Sequence, residues 1–103
     1  MTSARAHLQS LVGQEIRTVT GRPNTVLAVE GDVVIVGTSK SPNGQPVPIR
    51  WVQNAMEMLD RHGEVTIDVD TVGYRSAFIG AVLSTLPGVV VLSTSPPRIV
   101  RRG

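Results

Sequence analysis

Cysteine is absent from all 103 residues. That excludes disulfides, thiolate-bound zinc and thiol catalysis. A small domain that folds without disulfides points to the cytoplasm. Aromatic residues are almost as scarce: Trp51, Tyr74 and Phe78 are the whole set. The core must therefore be aliphatic, and a row of rings for stacking RNA bases is not available. Histidine occurs twice, as His7 and His62, at no metal-binding spacing. No glycine-rich loop has the spacing that cradles a nucleotide phosphate. No apolar run approaches the ~20 residues that cross a bilayer, and residues 1–7 lack the apolar core of a signal peptide. Asp68 and Asp70 form an acid pair with neither a metal partner nor a nucleophile nearby in sequence. These absences lead us to expect one small, non-enzymatic domain that needs no cofactor or metal and has no membrane partner.

The charges that are present are unevenly placed. The formal net charge is only +2. Yet residues 51–70 hold Glu57, Asp60, Glu64, Asp68 and Asp70 against the single cation Arg61. Residues 71–103 hold Arg75, Arg98, Arg101 and Arg102 and no acid. All basic residues but Lys40 are arginines, whose planar guanidinium matches phosphate oxygens. The competing reading is a solvated surface with an accidental asymmetry.

Periodicity gives the organisation. Residues 4–12 fit a short helix capped by Ser3 and stopped by Gly13. Strand-like runs follow at 15–19, 25–30 and 33–38, with turns at 20–24 and 30–32. They predict a β-hairpin over 15–38, in a sheet of two or three strands. Residues 39–48 carry three prolines and read as a loop. Ile49, Val52, Met56 and Leu59 share one helical face, with Pro48 suited to the first turn and Gly63 to the stop. A short strand is expected at 64–68, one helical turn near 70–73 and a second helix over 74–86. On that second helix Phe78, Ile79, Val82, Leu83 and Leu86 form the buried face. Two strands around a turn at 93–97 complete the order. The predicted fold class is α+β, a winged helix-turn-helix-like core over 48–100 with an additional N-terminal hairpin, in one domain spanning 1–103.

That order nominates a DNA-binding surface. In helix-turn-helix proteins the start of the second helix reaches base edges. Here that start is Tyr74, Arg75 and Ser76. Arg98, Arg101 and Arg102 lie on or after the predicted wing, where cations follow the backbone or minor groove. Arg22 and Asn24 in the first turn, and Lys40 in the proline-rich loop, are further candidates for phosphate contact. Each has a structural alternative. Tyr74 could cover the core, Arg75 could pair with Asp68 or Asp70, the C-terminal arginines could form a frayed tail, and the 20–24 turn could only shape its hairpin. Trp51 reads as a lid on the core. The opposite face of the second helix is small throughout: Gly73, Ser76, Ala77, Gly80 and Ser84. Glycine inside a helix costs ~1 kcal/mol, which a close backbone approach would offset. The approaching backbone could be DNA, the neighbouring helix or the N-terminal sheet. The alternative function is a protein-interaction or dimerisation module using that face.

Residues 20–24 (Thr-Gly-Arg-Pro-Asn), 41–49 (Ser-Pro-Asn-Gly-Gln-Pro-Val-Pro-Ile), 51–53 (Trp-Val-Gln) and 75–89 (Arg-Ser-Ala-Phe-Ile-Gly-Ala-Val-Leu-Ser-Thr-Leu-Pro-Gly-Val) carry a resemblance across residues 13–100. The chain resembles the N-terminal domain of actinobacterial (Streptomyces) McrA-type, modification-dependent HNH restriction endonucleases. The resemblance implies a DNA-binding accessory domain excised from a larger protein of type IV restriction. The implied partners are double-stranded DNA, modified DNA included, and the other domains of the parent endonuclease. The chain lacks the zinc-binding and HNH residues of such enzymes, so cleavage would be performed elsewhere.

Overall fold

A computed structural model describes residues 3–73, 75–94 and 96–102. The chain opens with helix α1 (Ala4–Leu11), where the Ser3 hydroxyl accepts from the Ala6 amide at 3.1 Å. Four strands follow as an antiparallel meander: β1 (Glu15–Arg17), β2 (Pro23–Glu30), β3 (Val33–Gly37) and β4 (Gln45–Pro48). Helix α2 (Ile49–His62) and strand β5 (Glu64–Thr66) come next. Two helices, α3 (Val69–Val72) and α4 (Ser76–Ser84), lead into the hairpin β6 (Val89–Thr94) and β7 (Pro97–Arg101). The second sheet runs β5-β7-β6, again antiparallel. Among the described residues this is an α+β fold of four helices and two antiparallel sheets.

The local chemistry explains most boundaries. Gly63 ends α2 at φ +74, and its N–H reaches the Leu59 carbonyl at 2.8 Å. A glycine there adopts the left-handed turn without a Cβ clash. Asp68 caps α3, its carboxylate accepting from the Thr71 amide at 2.7 Å. The face set by Ile49, Val52, Met56 and Leu59 is buried as the spacing predicts.

Two expectations need correction. The 39–48 loop is shorter than its prolines suggest, because residues 45–48 form β4. Pro46 pairs with Ile35 and Pro48 with Val33 at the outer edge of the sheet, where a missing N–H disrupts no further ladder. The second long helix begins at Ser76 and stops at Ser84, shorter at both ends than 74–86. Arg75 precedes it at φ 64, ψ 30, so the chain cannot run helically through that point.

Helices α2 and α4 each touch both sheets, and α1 lies across α2 and β2. The centre of the molecule is aliphatic: Leu8, Val26, Val52, Leu59, Ile79, Leu83 and Ile99 are fully buried. Helix α4 is covered nearly all round, from Phe78 to Leu83. A Cβ built on Gly80 would lie 3.0 Å from Ile67 Cγ2. The close approach that a helical glycine permits is therefore made to Ile67 of the chain itself.

Candidate nucleic-acid interface

Because α4 is buried along most of its length, it presents little more than its first turn. Ala77 is exposed there and Ser76 half-buried. A cleft of about 320 Å³ opens at this turn. Its second wall comes from the first sheet. The β1–β2 turn contributes Thr18 and Arg22, the start of β2 contributes Pro23 and Asn24, and the loop after β3 contributes Thr38, Ser39 and Lys40. Arg75, Ser76 and Phe78 complete it from the helix side. Contact between β1 and α4 holds the two walls together.

Three cations, Arg22, Lys40 and Arg75, thus face one concavity, and no acid lines it. None of the three has a carboxylate partner among the described residues. The Arg75 guanidinium donates to Gln45 Oε1, a neutral acceptor, and leaves Asp68 and Asp70 alone. Gln45 in turn donates to Ser41 Oγ at 3.0 Å, so one amide links Arg75 to the loop that carries Lys40. At the helix start, Arg75 supplies no side-chain cap. Unfilled amides at such a terminus favour an anion.

The β1–β2 turn is rigidly built. The Thr18 amide donates to the Arg22 carbonyl at 2.9 Å, and the Arg22 amide donates to Thr18 Oγ1 at 2.9 Å. These bonds consume the backbone of Arg22 and leave its side chain free. Asn24 sits on the inward face of β2, two residues before Val26, and is only 7% exposed. No side-chain N or O atom among the described residues is both buried and without a partner, and Asn24 lines the cleft.

The C-terminal arginines lie differently. Arg98 on β7 pairs with Glu64 on β5, the strand beside it. Arg101 pairs with Asp60 of α2 at 2.8 Å. Neither lines the cleft. Arg102 is exposed, has no carboxylate partner among the described residues and donates its amide to the Gly88 carbonyl at 2.6 Å. Tyr74 lies outside the described residues.

A larger cavity, about 630 Å³, sits between the starts of α1 and α2. Arg5 and Arg50 flank it, but Asp32 also lines it and lies 3.8 Å from Arg5. No candidate residue falls there. Among the described residues no cluster of His, Cys, Asp and Glu could hold a metal ion, and no helix is long and apolar enough to cross a membrane.

The chain has no match among known protein families, curated proteins or solved structures.

Proposed function

We propose that this chain is a non-catalytic DNA-binding domain that grips the duplex backbone in the cleft between α4 and the first sheet. One observation carries the reading. Five residues nominated from sequence, Arg22, Asn24, Lys40, Arg75 and Ser76, converge there from three separate segments, without an acid among the lining residues. Phosphate is the ligand that an unpaired Arg, Lys and helix-start set suits, since each contributes donors and positive potential. The element order α2-β5-α3-α4-β6-β7, with β5 joined to β7, supports a winged helix-turn-helix core. In this reading the first turn of α4, and not its length, meets the DNA. The restriction-enzyme context belongs to the same proposal and rests on the resemblance alone. The alternative is association through the small face of α4, where Gly80 is covered by Ile67 while Ser76, Ala77 and Ser84 keep some exposure.

The test is fluorescence anisotropy with a labelled duplex across a salt series. Three cations on phosphates give a slope of roughly −2 to −3 in log K against log salt. A salt-insensitive slope, or no binding at low salt, would overturn the proposal.

A further inference from the structure

Three cations share one small hollow, and a bridging DNA phosphate matches them poorly. The cleft at the start of α4 measures about 320 Å³ and is lined by Arg22, Lys40 and Arg75 with no acid. A phosphodiester carries a single negative charge and has two free oxygens. A phosphate monoester carries about −1.5 to −2 at pH 7 and presents three acceptor oxygens. The monoester fits the lining in charge and in number of acceptors. The lining keeps donors to meet it. Arg75 binds Gln45 through Nη2, and the rest of its guanidinium fork stays open. Thr38 Oγ1 accepts from the Ser41 amide at 3.1 Å, which leaves the hydroxyl proton for a ligand. Size selects in the same direction, because the volume is at the small end of ligand sites. A phosphate within a strand has chain on both sides, so the strand must bend to push it into a hollow. A phosphate at a strand end has chain on one side only.

We infer that the cleft is a phosphate-monoester site, and that the DNA it holds best is a duplex end bearing a terminal phosphate. This inference rests on the DNA-binding reading and deepens it. Arg22, Lys40 and Arg75 then act together on one group instead of on successive phosphates of a strand. The domain recognises the end of a duplex by its charge and reads no base there.

Two short duplexes of one sequence separate the possibilities, one phosphorylated at its 5′ and 3′ ends and one with hydroxyl ends. Their affinities are compared by fluorescence anisotropy at a single salt concentration. The phosphorylated duplex should bind about tenfold tighter, the scale of one added hydrogen bond between charged groups. That advantage should shrink as pH falls from about 7.5 to about 5, because a monoester takes up a proton with a pKa near 6. No histidine or acid lines the cleft to titrate in its place, and any effect of His7 falls on both duplexes alike. Gln45→Glu sets a carboxylate against Arg75 and should cut the advantage further than it cuts binding of the hydroxyl-ended duplex. Equal binding of the two duplexes at pH 7.5 overturns the inference and leaves backbone docking in place. So does an advantage that stays constant with pH. So does a phosphoserine peptide that outcompetes both duplexes, which makes the cleft a protein-docking site. Failure of both duplexes to bind removes the DNA-binding reading and this inference together. The comparison within the parent protein decides the matter even where Gln45→Glu does not fold.

Discussion

The two ends of this molecule hold their arginines in opposite ways. At the cleft, Arg22, Lys40 and Arg75 face one hollow with no carboxylate among its lining residues. At the β5-β7-β6 sheet, Arg98 and Arg101 are each matched to an acid, Glu64 and Asp60. Both sets are cations; the difference is what β5 and α2 place within reach. A cation already neutralised by a neighbour adds little field at the surface, whereas three unpaired ones sum. Charge read along the chain misleads here. The acid-rich segment 51–70 and the acid-free segment 71–103 look like separate patches, and strand pairing folds part of one onto the other. Glu64 and Arg98 are 34 residues apart in sequence and paired in space.

The largest blow to the comparison is a substitution that damages the cleft and the core at once. Phe78 is 3% exposed and also lines the cleft. Phe78→Ala should cost ~3–5 kcal/mol in denaturant unfolding, a large share of the ~5–15 kcal/mol that holds a domain. A loss under about 1 kcal/mol would mean that the ring is not a core element.

Next comes the contrast itself. Replacing Arg22, Lys40 and Arg75 together by alanine should weaken duplex binding by about 3 kcal/mol or more, since hydrogen bonds to charged groups run ~1.5–3 kcal/mol each. It should also flatten the salt slope by roughly 2–3. Arg98→Ala with Arg101→Ala should leave the slope nearly unchanged. These two side chains are paired at the surface, and such pairs contribute ~0–1 kcal/mol to stability. If the hairpin pair matters more for DNA than the cleft trio, the wing is the docking surface and the cleft is not.

Much of this was legible in the sequence, and the reasons are local. The α2 face, its Pro48 start and its Gly63 stop follow from spacing and backbone preference alone. The buried positions of α4 are equally local. What escaped depends on tertiary pairing. Pro46 and Pro48 argued for a loop, and only the edge position of β4 makes them tolerable in a strand. Gly80 announced a close approach but not its partner, Ile67. Arg75 was expected at a helix start, yet its left-handed backbone is visible only in three dimensions, because nothing in Gly73-Tyr74-Arg75 demands it. Asn24 read as the last residue of a turn, and its inward place on β2 opposite Ile16 comes only from strand pairing.

Arg75 allows a smaller but sharper test, because function and stability should move in opposite directions. It is the single non-glycine residue at positive φ among the described residues. A left-handed conformation costs an ordinary residue ~1–2 kcal/mol. Arg75→Gly removes that cost. Against it stand the greater freedom of glycine in the unfolded chain, ~0.4–1 kcal/mol, and the lost bond to Gln45. The balance is a gain of about 0.5 kcal/mol, read as a slightly higher melting temperature. Duplex affinity should fall in the same protein. Arg75→Lys keeps both the charge and the strain, so it should gain no stability and retain more binding. A simultaneous loss of stability and affinity in Arg75→Gly would show that Arg75 supports the fold more than it strains it.

The smallest effect asks whether the cleft is coupled to the seam between α1 and the end of α4. His7 Nε2 and Thr85 Oγ1 are 2.7 Å apart. Thr85 Oγ1 donates to the Val82 carbonyl at 2.6 Å, so the imidazole is the donor in the His7 contact. Burial lowers the His7 pKa below its ordinary value of 6.5. The folded protein therefore favours neutral His7, and the unfolded chain takes up the proton first. The associated stability is present above about pH 6.5 and is lost as pH falls through the lowered folded pKa. Melting temperature should drop modestly over that window. His7→Gln keeps a donor for Thr85 and has nothing to titrate, so this part of the drop should vanish. Duplex affinity across the same window should be the same for the two proteins if the seam and the cleft are independent. A binding difference that appears only on the acid side would show that loosening α1 against α4 reaches the first turn of α4, and the cleft would then be set by the whole helix and not by its local walls.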